Sequence, residues 1–122
     1  MGSMPDCAIL VRSGREIVAV NDQAKHLFGY TSEQLIGQPI ETFVPHHFSQ
    51  THPRQVDGFF RDPRPIAIGV RKDLYGRHKD GREIPVEIGL TPIELDDVML
   101  VLAMVRDISA RVHAAEKNKI AH

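Results

Sequence analysis

Lys79-Asp80-Gly81-Arg82 separates two stretches in which apolar residues recur at every second position, and this arrangement fixes a β-hairpin in the second half of the chain. Asp-Gly supplies the positive φ angles that a tight reversal demands. After the turn, Ile84, Val86, Ile88 and Leu90 alternate with Glu83, Glu87 and Thr91, the pattern of an antiparallel strand with one face on a core and one in water. Before it, Ile66, Ile68, Val70 and Leu74 share a face that Lys72 interrupts. Asp96-Asp97 reverses the chain again. The run from Val98 to Val105 is apolar throughout, as in a central strand covered on both sides. Leu100 and Leu102 share one of its faces, Val101 and Ala103 the other.

The first half opens with a second hairpin, Ala8 to Val11 and Ile17 to Val20 around Ser13-Gly14. Asn21 is a suitable N-cap for a short helix carrying Ala24, Leu27 and Phe28, and Gly29 is placed to end it. Thr31 and Gln34 have capping-box spacing ahead of Leu35 and Ile36. Ile40, Phe43 and Val44 predict one more turn. Val56, Phe59 and Phe60 predict a helix beginning near Pro53, which Asp62-Pro-Arg-Pro65 closes. After the last strand, Ile108, Val112 and Ala115 recur at helical spacing before a polar tail.

The order of elements is therefore β-β-α-α-α-β-β-β-α, an α+β fold with a five-stranded antiparallel sheet. Each short helix has one apolar stripe to bury, so the helices gather on one face of the sheet and enclose a small apolar cavity there. The last helix projects outward.

A chain of 122 residues predicts one domain. Residues 1–3 look like a vector remnant, residues 5–107 make the core and residues 108–122 start the projecting helix. With 15 Lys and Arg against 16 Asp and Glu, the chain lacks the basic excess of a nucleic-acid binder. Its single cysteine, Cys7, makes no internal disulfide, which fits a cytoplasmic location. The longest apolar run is far short of the roughly 20 residues that span a bilayer, so no membrane contact is expected from this part of the chain.

Four segments together resemble a PAS domain, the sensory module of bacterial signalling proteins. They are Ile17 to Asn21 with Ala24, Phe28 to Gly37, Leu74 to Gly81 followed by Pro85 to Ile88, and Val105 to Arg111. The resemblance implies an input domain that binds a small ligand or dimerises. It further implies relay through the C-terminal helix to a linked output domain, such as a histidine kinase of a two-component system or a diguanylate cyclase. Asp107 and Arg111, one helical turn apart at the exit motif, are the candidate relay pair.

The stretch from Pro45 to Gly81 is also similar to the haem-binding PAS domains of oxygen-sensing kinases. That similarity implies haem iron held by His52, with Lys72 or Arg71 in place of the arginine those sensors set beside haem. The pocket would be walled by Phe59, Phe60, Ile68, Val70, Ile88, Leu90 and Leu102. The alternative for His52 is a helix cap or surface histidine in a domain without haem. Flavin is disfavoured as a photoadduct cofactor, since Cys7 lies on the first strand and not in a mid-chain helix. A fatty acid or carboxylate with Lys72 or Arg71 as counter-ion is a further possibility, as is a packed, empty core. His46, His47 and His52 lie on an irregular segment without a carboxylate or cysteine nearby, which argues for solvated histidines over a metal site.

No nucleophile elbow or phosphate-binding loop is present, so the domain reads as non-enzymatic. A homodimer is expected. In a ligand-free scaffold, the Val101 and Ala103 face, if exposed, would drive that association.

Overall fold

The computed structural model describes residues 6–45, 52–69 and 74–113, with the backbone alone over 52–56. The elements are β1 (Cys7–Arg12), β2 (Ile17–Val20), α1 (Gln23–Phe28), α2 (Ser32–Leu35), a 3₁₀ turn (Ile40–Phe43), α3 (His52–Arg61), β3 (Leu74–Arg77), β4 (Glu83–Leu95) and β5 (Val98–Asp107). Residues 109–113 begin a helix. The five strands form one antiparallel sheet in the order β2-β1-β5-β4-β3, which puts the strand with the apolar run Val98 to Val105 at its centre. The expected architecture is the one observed.

Register settles what the sequence of β5 leaves open. A run that is apolar at every position carries no phase, so the pleat must take it from its neighbours. Ala103 lies opposite Ile9 of β1 and Leu90 of β4, and Val105 lies opposite Cys7 and Ile88. Val101, Ala103 and Val105 therefore face the helices. Leu102, paired with Leu10 and Thr91, faces away from them. The expectation that Leu102 walls the pocket, with Val101 and Ala103 on the far face, is corrected.

Turn chemistry explains the reversals. Asp96 and Asp97 both have positive φ, 50° and 64°, between paired Leu95 and Val98, which is the primed turn whose twist suits a hairpin. The Asp80-Gly81 reversal is one residue longer. His78 N–H donates to Arg82 O at 2.8 Å, leaving three loop residues, of which Gly81 alone takes positive φ, 96°. This is a turn with a glycine bulge, also a common hairpin connection.

Two local expectations shift. Asn21 does not cap α1, whose N-cap is Asp22 without a side-chain bond. Its amide instead clamps the start of β1, accepting from Ala8 N–H and donating to Asp6 O, both at 3.0 Å. Of the strand expected from Ile66 onward, residues 66–69 are not regular strand, residues 70–73 lie outside the described residues, and β3 is described from Leu74. Pro63 and Pro65 lack the N–H a ladder needs, and Gly69 turns to φ 87°, so the described residues 62–69 contribute a single bridge, Ile66 to Leu90.

The helical layer is anchored as expected. Thr31 Oγ1 accepts from Gln34 N–H while Gln34 Oε1 accepts from Thr31 N–H, a complete capping box. Phe28 and Leu35 are almost fully buried against Ile9 and Ile17 in one apolar cluster, and no charged or polar residue among those described is buried. Gly76 allows the closest approach between layers. A Cβ there would lie 2.7 Å from Phe28 Cε1, so only glycine lets the Phe28 ring rest on β3.

Candidate functional site: an apolar cavity and the exit junction

Between the sheet and the helical layer lies a cavity of about 330 Å³. Its floor is the inner face of β1, β5 and β4, including Ile9, Ala103 and Leu90. Phe43, Phe59 and Phe60 come down on it from the helical side. At one end Phe28 and Phe43 meet with ring centroids 4.5 Å apart, and Tyr30 meets Phe43 edge-on at 6.1 Å. At the open edge of β4, Ile66 is held over the cavity by reciprocal backbone bonds with Leu90, both 2.8 Å. Apart from Tyr75, which stands 44% exposed on edge strand β3, every described lining side chain is hydrocarbon. Such a space binds by burial and shape, with few polar groups to orient a guest.

The residues picked out from sequence divide by how much they depended on phase. Phe59, Phe60, Ile88 and Leu90 line the cavity. Ile68 does not: it lies half-buried against Gly89 on β4, 3.3 Å from where a Cβ of that glycine would stand. Val70, Arg71 and Lys72 fall outside the described residues, as do His46 and His47. His52 opens α3, and its side chain lies outside the description. Among the described lining residues there is no imidazole, thiolate or thioether. Ile9, Val11, Phe28, Phe43 and Ala103 also belong to the wall. The i+4 spacing of Ala24 and Phe28 and the β-branched first strand are the signals that pointed to part of that set.

The exit junction differs from the pairing expected. Asp107 Oδ1 accepts from Ser109 N–H at 2.8 Å and so caps the helical turn that follows β5. Its carboxylate is thus engaged locally, and Arg111 reaches instead to Glu87 Oε2 on β4, at 2.9 Å. Ile108 N–H donates to Pro85 O at 3.0 Å, a second tie from the exit turn to the same strand. Glu87 is only 14% exposed in its side chain while Arg111 is 61% exposed. Across the ladder from Glu87, Arg106 makes a two-pronged contact with Asp6, both distances 3.1 Å, and that bond holds the guanidinium above its ordinary pKa.

Cys7 is buried at the start of β1. Burial, reinforced by the Asp6 charge, pushes its thiol up to about 12, so it stays protonated and unreactive at neutral pH. Among the described residues no three His, Cys, Asp or Glu groups converge as a metal site, and no helix is long and apolar enough to cross a membrane.

The PAS domain family profile matches residues 5–110, which takes in the sheet, the helical layer and the exit turn. The chain is a PAS domain. Its relatives include the oxygen sensor protein DosP of Escherichia coli, 26% identical over 112 residues; the match covers 92% of this chain but 14% of that protein. Among solved structures, the PAS domain of a protein from Colwellia psychrerythraea superposes with a TM-score of 0.71 at 23% identity, covering 86% of this chain and 87% of that one. The RpfR quorum-sensing receptor PAS domain of Cronobacter turicensis, in complex with C12:0, superposes at 0.66 with 15% identity, covering 89% and 99%. Those two likenesses establish the fold. PAS domains serve as sensory modules of signalling proteins, and this PAS domain spans a small part of the curated relatives it matches.

Proposed function

We propose that this PAS domain is the cytoplasmic input module of a larger signalling protein, and that it senses a small, largely apolar ligand held between sheet and helices. The cavity is the observation that carries this reading: about 330 Å³ of hydrocarbon-lined space, at the lower end of the roughly 300–1,000 Å³ typical of small-molecule sites. The complex of the RpfR domain with C12:0 supports the choice of ligand chemistry. Residues 5–107 form the sensing core and those from 108 onward begin the signalling helix. Ile88 lines the cavity and the adjacent Glu87 holds Arg111, so a displacement of β4 by a guest reaches the exit turn within one residue. The linked output is a histidine kinase, diguanylate cyclase or similar effector, in a homodimer associated through the outer sheet face of Leu10, Leu102 and Met104. Native mass spectrometry of the purified domain, followed by organic extraction, tests the proposal. A retained small-molecule mass that disappears on extraction is the expected result. No retained mass, together with no binding of added fatty acids or other apolar small molecules, would overturn it.

A second reading is favoured by the kinship with an oxygen sensor and by Phe59 and Phe60 lying on the helix that His52 opens. The apolar walls suit the faces of a haem macrocycle. The described wall offers no iron ligand, so this reading depends on His52, with Arg71 or Lys72 facing the propionates. Haem, when bound, supplies an iron able to take a diatomic gas. A Soret band after expression with added haem, lost in His52→Ala, supports this reading; no band removes it.

A further inference from the structure

Along the inner face of β5 the cavity floor runs Val101, Ala103, Val105. Ala103 is the one position in this row with a taller side chain on both sides. Ile9 and Leu90 flank Ala103, while Val101 lies between Val11 and Pro92 and Val105 between Cys7 and Ile88. The methyl of Ala103 between two longer side chains makes a shallow trough in the floor, deepest at that residue, and Val101 and Val105 continue the floor along the strand. At about 3.3 Å per residue, Val101 to Val105 spans about 13 Å. Ala103, 7% exposed, is the low point midway along it. Phe43, Phe59 and Phe60 roof the trough. The whole cavity has roughly twice the ~150 Å³ of an apolar cavity that accepts benzene, so its guest extends beyond a single ring.

We propose that Ala103 selects the shape of the ligand: an unbranched alkyl or acyl chain lies along β5, and the methyl side chain at 103 leaves the clearance it needs. The inference rests on the ligand-binding reading above and adds the class of ligand and the residue that discriminates. Any larger aliphatic side chain at 103 divides the trough, shutting out a long chain while leaving room for a short one at either end.

Calorimetric titration of the intact domain with hexanoate and dodecanoate tests this in the wild type, Ala103→Val and Ala103→Leu. Dodecanoate is expected to weaken by about tenfold or more in Ala103→Leu, the scale of a methylene-sized misfit in an apolar pocket, with Ala103→Val between it and the wild type and hexanoate unaffected. Thermal melts confirm that each variant is folded, and Ala103→Val carries the test if the leucine variant is not. Dodecanoate affinity unchanged in the folded variants, or both acids weakened alike, would overturn the role of Ala103 while leaving ligand binding intact. A wild type that binds neither acid removes the acyl ligand class and this inference with it; a co-purified ligand of another kind would still uphold the ligand-binding reading.

Discussion

Ile88 and Glu87 are consecutive on β4 and face opposite ways: Ile88 lines the cavity, and Glu87 accepts the 2.9 Å bond from Arg111. Replacing Glu87 by Gln removes the ionic component of that bond. With Arg111 mostly exposed, the melting free energy should change by no more than about 1 kcal/mol. Amide exchange over residues 109–113 should nonetheless quicken, since the turn loses a tie to the sheet. Exchange at the wild-type rate would show that Ile108 and Asp107 hold the turn unaided.

The inward phase of β5 is open to a paired test. Ala103→Lys would place an ammonium in a space with no described charged partner and should destabilise the domain by several kcal/mol. Leu102→Lys, one residue away, faces outward and should lose only about 1–2 kcal/mol of apolar contact. Urea titrations giving the opposite ranking would reverse the assignment of faces.

Gly76→Ala should destabilise by about 1–3 kcal/mol, because its Cβ meets the Phe28 ring well inside contact distance. Adding Phe28→Leu should restore part of the loss, so the double-mutant cycle reads a coupling between these positions. Strict additivity would mean that the strand shifts to absorb the methyl.

Thr31→Ala removes half of the capping box and should cost about 1 kcal/mol in a denaturant titration, with Thr31→Ser close to the wild type. Equal losses for both would place the role of Thr31 outside the cap.

Cys7 gives a pH signature. Its thiol ionises near 9.0 in the unfolded chain and at about 12 in the folded one. Between these values the unfolded chain has released a proton that the folded one retains. The contribution is therefore complete below pH 9 and is lost as pH rises toward 12. Wild-type stability should fall more steeply across pH 9–11 than that of Cys7→Ala. Parallel curves would mean that the thiol reaches solvent.

Much of the fold was legible because its local signals agreed with one another. The Thr31–Gln34 box, the Asp96-Asp97 reversal and the alternation of β4 each specify geometry within a few residues, and each stands in the structure. The site was legible where a side chain had a polar alternate to mark its face, as for Ile88 and Leu90 beside Glu87 and Thr91. It was lost on β5, where Leu102 and Ala103 are both apolar and only pairing with β1 and β4 distinguishes them. Arg111 went to Glu87 in place of Asp107 for a similar reason. The contact links residues 24 positions apart, and its competitor, Asp107, was already committed to a backbone N–H two residues away.

Cys7 and Val105 sit opposite each other on adjacent strands, with Asp6 bridged to Arg106 just beyond them. Polypeptide flanking the fold thus enters and departs at a common point, like the two leads of a plug. Spliced into a longer protein, such a cassette interrupts the backbone without spreading its neighbours apart, and tension applied to either lead is borne by the same corner of the sheet.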